Sequence, residues 1–112
     1  MTNRKRALTP FGAALLDMLE FARVRHYKFY EAVGITKAYF YEILRELPPS
    51  PEVMEKILDT LDAILPADSG RRTFLLDQAA RTKGEIPPDI FDTIRNNPDQ
   101  WNKLRKLLKK HL

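Results

Sequence analysis

The sequence predicts an all-α fold built from short helices, and three observations carry that expectation. Eight prolines and four glycines divide the 112 residues into segments of helical length. Within those segments apolar residues recur every three or four positions, the period of one helix face. No segment alternates apolar and polar residues with period two, and β-branched residues are sparse, so no strand is expected. A chain that is 44% hydrophobic and 30% charged is too apolar for intrinsic disorder and long enough for one modest core.

The elements follow in order. Thr9-Pro10 sets a capping hydroxyl before a proline at the first helical position, and Phe11, Leu15, Met18, Leu19 and Ala22 continue the helix to about Arg25. A second helix spans His26 to Val33 and stops at Gly34, which supplies the left-handed C-terminal conformation. Thr36 caps a third helix, with Phe40, Ile43, Leu44 and Leu47 as its inward residues. Pro48-Pro49-Ser50-Pro51 breaks the chain, and Ser50 caps a fourth helix whose stripe from Val53 to Leu65 ends at Pro66. A fifth helix begins at Asp68 or Ser69 and contains Phe74, Leu75, Leu76 and Ala79. A short sixth covers Ile86 to Ile94. Asn97-Pro98-Asp99-Gln100 has the form of a capping box, opening a last helix with Trp101, Leu104, Leu107 and Leu108 inward. The chain is thereby read as one unit with a core over residues 1–66 and a helical extension over 67–112, packed on that core or used for dimerisation.

Composition excludes several chemistries. With no cysteine there is no disulfide, thiolate metal site or cysteine nucleophile. The two histidines, His26 and His111, are distant in sequence, and the four glycines are isolated rather than grouped into a phosphate-cradling loop. No enzyme activity, cofactor or metal is expected. Asp59 and Asp62 are read as part of a solvated acidic face. No apolar run approaches the ~20 residues that span a bilayer, and the basic start is not followed by an apolar signal segment. A cytoplasmic protein without a membrane partner is expected.

The net charge is +4, unevenly placed. Residues 1–50 hold 8 basic and 5 acidic side chains, residues 51–100 hold 6 and 10, and the last 12 residues hold five basic and no acidic ones. That layout suits a protein with one face toward a polyanion.

His26 to Leu47 has the spacing of a helix-turn-helix: a short helix, a turn built on Gly34 and Ile35, and a second helix from Thr36. Phe29 and Val33 are expected to face Phe40 and Ile43 across the corner. With Phe40, Ile43 and Leu44 inward, Lys37, Ala38, Tyr41, Glu42 and Arg45 share the outer face. Lys37 can donate to guanine, Glu42 can accept from cytosine N4, and Ala38 offers methyl contact to thymine. Tyr41 suits a base or sugar, Arg45 a phosphate, and the helix N-terminus at Thr36 directs partial positive charge toward a phosphate. All four tyrosines, Tyr27, Tyr30, Tyr39 and Tyr41, fall in this segment, a clustering that also suits a protein interface.

Thr9-Pro10-Phe11-Gly12, and above all Gly34-Ile35-Thr36-Lys37-Ala38-Tyr39-Phe40, resemble the XRE type of bacterial and phage regulators, with the repressor/Cro-like fold. Leu76-Asp77-Gln78-Ala79-Ala80, Gly84-Glu85-Ile86-Pro87-Pro88-Asp89-Ile90 and Asn97-Pro98 resemble the helical C-terminal extension of its prophage and plasmid members. The resemblance implies a repressor/Cro-like helix-turn-helix bundle with additional C-terminal helices. It also implies base contacts from Lys37, Ala38 and Glu42, with Thr36, Tyr39 and Tyr41 nearby or on the DNA backbone. His26 stands where the family has a phosphate-holding glutamine. Tyr30 stands where the family has a small alanine, so a shifted helix crossing or an outward ring is expected.

The expected function is a sequence-specific regulator of transcription. It would act as a homodimeric repressor on a pseudo-palindromic operator in double-stranded DNA, with half-sites about 10 bp apart. The basic arm Arg4-Lys5-Arg6 would reach phosphates or a minor groove. Two alternatives are an antitoxin whose extra helices cover a toxin, and a phage-type inhibitor that binds a protein partner through the same fold without DNA.

Overall fold

The computed structural model describes residues 7–112 and is all-α, with seven α-helices and one 3-10 turn among those residues. Arg4, Lys5 and Arg6 lie outside the described residues. The helices are α1 (Pro10–Ala22), α2 (His26–Val33), α3 (Lys37–Arg45), α4 (Pro51–Ile64), α5 (Arg71–Lys83), α6 (Pro88–Arg95) and α7 (Trp101–His111). The 3-10 turn, Pro98–Gln100, leads directly into α7.

Helices α1–α5 enclose one core. Phe11, Leu15 and Leu19 of α1 meet Phe29 and Val33 of α2, Phe40, Ile43 and Leu44 of α3, Met54, Ile57, Leu58 and Leu61 of α4, and Leu75 and Ala79 of α5. α1 packs chiefly on α5 and α3, and α2 on α4 and α3. The three hydroxyl caps close as the sequence predicts. Thr9 Oγ1 accepts from Gly12 N at 2.9 Å, Thr36 Oγ1 from Tyr39 N at 3.1 Å, and Ser50 Oγ from Val53 N at 3.4 Å.

α1 is also tied to distant chain at its first turn. Thr9 donates from both its amide (3.0 Å) and its hydroxyl (3.2 Å) to the Leu44 carbonyl at the end of α3. The Phe11 amide donates to Thr82 Oγ1 of α5 at 3.1 Å. This first turn sits so close to α3 that a Cβ on Gly12 would lie 2.0 Å from the Leu44 carbonyl oxygen.

Several expectations need correction. α1 ends at Ala22, short of Arg25, because Arg23 takes a left-handed conformation (φ 57°) and its amide turns back to Leu19 and Glu20. Leu47 is 62% exposed rather than inward, since α3 stops at Arg45 and the chain leaves the helical path toward Pro48. α5 starts at Arg71 rather than Asp68 or Ser69, with Asp68 Oδ1 instead accepting from Gly70 N at 2.9 Å. In that helix Leu75 and Ala79 are buried, while Phe74 and Leu76 point to solvent. Asn97 makes no capping bond to α7; its side-chain amide donates to the Thr93 carbonyl at 2.7 Å. Trp101, Leu107 and Leu108 are 40%, 48% and 46% exposed, not inward, because α7 lies off the core.

A compact chain of this length has a radius of gyration of about 13 Å, whereas here it is 16.8 Å. The excess goes with α6 and α7, which bury no residue and make their principal contacts with the 3-10 turn between them.

Asp59 and Asp62 do more than face water. Arg71, 6% exposed, donates to Asp62 at 2.7 Å and to the Pro66 carbonyl. Beside it, Arg72 reaches Glu55, Asp59 (3.5 Å) and Asp62 (3.1 Å), which ties the start of α5 to the outer face of α4. Loss of hydration opposes the charge on Arg72, but Glu55 and the hydrogen bonds to Asp62 and Asp59 outweigh it and raise its pKa above the ordinary arginine value. Exposed pairs of this kind contribute little, whereas removing a buried hydrogen-bonded guanidinium leaves its partners unmet. Arg71→Ala is therefore expected to lower stability by about 2 kcal/mol in urea titration, and Arg72→Ala to lower it far less.

Candidate nucleic-acid interface

The candidate site begins with a three-residue turn. Gly34 adopts φ 90° and its amide bonds back to Tyr30 and Glu31, ending α2 where a side chain would be strained. The Ile35 amide donates to the Tyr30 carbonyl at 3.0 Å, and its half-buried side chain packs against the core. Thr36 then starts α3 in a new direction. The interior of the corner is aromatic: the Phe40 ring lies 6.1 Å from Phe29, 5.5 Å from Tyr30, 5.1 Å from Tyr41 and 5.6 Å from the His26 imidazole.

This packing decides what α3 presents. Phe40, Ile43 and Leu44 are buried, so Thr36, Lys37, Ala38 and Glu42 stand exposed on the opposite side, flanked by half-buried Tyr41 and Arg45. Ala38, Tyr41, Glu42 and Arg45 line a shallow open concavity, and Glu46, absent from the sequence-derived set, completes it. Glu42 and Glu46 are one helical turn apart, so this surface carries two carboxylates among its cations.

His26 joins the same surface. Its ring is exposed at the first position of α2, with Nδ1 3.2 Å from Tyr41 Oη on α3. The preceding residue, Arg25, places no side-chain cap on α2. The N-terminus of α2 thus presents backbone N–H groups beside Arg25, His26 and Lys28, an arrangement that favours an anion.

The tyrosines divide by environment. Tyr27 is exposed, with Lys28 Nζ 5.7 Å from its ring centre. Tyr30 is half-buried against Phe40, so its ring fills the corner instead of turning outward. Tyr39 is half-buried, and its hydroxyl accepts from Ser50 N at 3.2 Å, holding the Pro48-Pro49 segment against α3. Nothing in the sequence pairs Tyr39 with Ser50. Of the residues named from the sequence, His26, Thr36, Lys37, Ala38, Tyr41, Glu42 and Arg45 share one surface, while the Tyr39 hydroxyl is engaged in positioning the neighbouring linker.

Among the described residues no three His, Asp or Glu side chains gather as metal ligands, and no helix is long and apolar enough to cross a membrane. Compared with protein-family models, curated proteins and solved structures, the chain matches none.

Proposed function

We propose that the chain is a sequence-specific DNA-binding regulator of transcription with a repressor/Cro-like helix-turn-helix, acting in the cytoplasm as a homodimeric repressor. The observation that carries this reading is the outer face of α3. Phe40, Ile43 and Leu44 anchor the helix from below, while Thr36, Lys37, Ala38 and Glu42 stand clear at its N-terminal half. A helix held that way fits a major groove about 12 Å wide, N-terminal end first.

In this reading Lys37 donates to guanine O6 or N7, Ala38 meets a thymine methyl, and Glu42 accepts from cytosine N4. His26 and the α2 N-terminus hold one phosphate, and Arg45 meets another. The Nδ1–Tyr41 contact orients the imidazole for that role. Arg4, Lys5 and Arg6 supply sequence-independent attraction.

The deciding experiment is binding to the duplex just upstream of the chain's own gene, against a scrambled duplex, across a salt series. A preference that persists near physiological salt supports the reading; equal, steeply salt-dependent binding to both overturns it. Lys37→Ala is expected to weaken operator binding by about 1–3 kcal/mol and relax base preference at one position. Replacing Arg4, Lys5 and Arg6 by Ala should instead weaken all duplexes alike. Unchanged operator affinity in Lys37→Ala would place the recognition face elsewhere.

A second reading draws on Glu42 and Glu46, which face the same concavity as Tyr41. In it the surface binds a protein, as an antitoxin or a phage-type inhibitor does. Failure to bind any duplex at low salt favours it.

A further inference from the structure

We infer that α6 and α7 form a dimerisation arm whose occupant is the same arm of a second copy, α7 of each copy lying on α6 of the other. This deepens the regulator reading, and rests on it only in the need for two copies; the argument for the surface uses the arm alone.

Ile90, Phe91 and Ile94 share one face of α6, and Trp101, Leu104, Leu107 and Leu108 one face of α7. None is buried, and neither helix leans on α1–α5 to any comparable extent. What the arm fixes is its own corner: Trp101 Nε1 donates to the Ile94 carbonyl at 2.6 Å. Helices of 8 and 11 residues are too short to persist in water by themselves, so open apolar faces on both call for a partner.

Two arguments name that partner. The first is area. Half-exposed Leu, Ile, Phe and Trp side chains along the arm leave on the order of 700 Å² of apolar surface, close to the ~800 Å² per partner of a stable pair. The second is charge. α6 carries Asp89 and Asp92 against Arg95, and with Glu85 before it and Asp99 in the following turn residues 85–100 have a net charge of −3, whereas Lys103, Arg105, Lys106, Lys109 and Lys110 give α7 +5. Setting α7 on a second α7 opposes like charges; setting it on a second α6 joins unlike ones. A two-fold axis makes that contact twice. A nucleic acid meeting the lysines leaves the Trp–Leu face bare. A lipid surface would take α7 but bring the carboxylates of α6 against anionic headgroups.

The test is sedimentation equilibrium of the full chain across the micromolar range. The wild type is expected to be a dimer, and Phe91→Asp with Leu108→Asp to weaken association by on the order of 100-fold or more. Both positions are exposed in the protomer, so circular dichroism should show the core helices retained. Lys103→Glu with Lys110→Glu should weaken the dimer, and adding Asp89→Lys with Asp92→Lys should restore it. A monomeric wild type, or a dimer indifferent to Phe91→Asp with Leu108→Asp, overturns the proposal. So does a wild type that is monomeric in solution but floats with phosphatidylglycerol vesicles. Binding of each variant to an isolated half-site duplex is read separately: retained half-site binding by a monomeric variant supports both readings, and a wild-type dimer that binds no duplex overturns only the regulator.

Discussion

Gly12→Ala is expected to destabilise the protein by about 3 kcal/mol, read as a fall in thermal midpoint of about 10 °C or more. The added methyl would lie 2.0 Å from the Leu44 carbonyl oxygen and 2.7 Å from Leu44 C and Cα, all backbone atoms that no rotamer change can move aside. Relief requires the first turn of α1 to retreat from the end of α3. That retreat breaks the two bonds from Thr9 to Leu44 and loosens Phe11 in the core. Gly84→Ala is the control. It also replaces a glycine, and at φ 71°, but nothing lies within 4 Å of the new Cβ, so the cost is the ~1 kcal/mol of a left-handed alanine. Equal losses at the two positions would refute the close approach of α1 to α3.

Phe40→Ala should cost about 3–5 kcal/mol, a large share of the ~5–15 kcal/mol typical of a domain. Its side chain is fully buried, with the rings of His26, Phe29 and Tyr30 of α2 and of Tyr41 on its own helix around it. The effect reaches the candidate interface because Phe40 lies beneath His26 and Tyr41, whose contact spans α2 and α3. In Phe40→Leu, which keeps apolar volume, the fold should survive at a smaller cost, while on the proposed regulator reading duplex affinity drops. The measurement is a urea titration alongside a binding isotherm. If Phe40→Leu binds the operator with wild-type affinity, the aromatic cluster has no part in aligning the surface.

Much of this architecture can be read from local chemistry. A hydroxyl before a helix start, at Thr9, Thr36 and Ser50, is a signal complete within four residues, and each cap closes as those residues dictate. Gly34 is equally local. The outer face of α3 follows from which residues point inward, so the exposure of Lys37, Ala38 and Glu42 was legible without coordinates. What escaped depends on partners remote in sequence. Arg71 resembles a solvated first-turn cation until the chain after α4 folds over it. Arg23 ends α1 in a conformation the sequence assigns to glycine. Periodicity marks the apolar stripe of α7 but is silent about what covers a stripe, and here the helix lies off the core.

The bond from the Phe11 amide to Thr82 spans 71 positions, and α1 packs chiefly on the helix that carries Thr82. For a chain made from its N-terminus, the enclosure of α1 is therefore complete only once α5 has been made. Until then Phe11, Leu15 and Leu19 lack the Leu75 and Ala79 side of their enclosure. The corner that presents α3 is complete in sequence by residue 45, yet its fold is sealed only some forty residues later in synthesis. The face that α3 presents thus rests on a core whose last wall is supplied by α5.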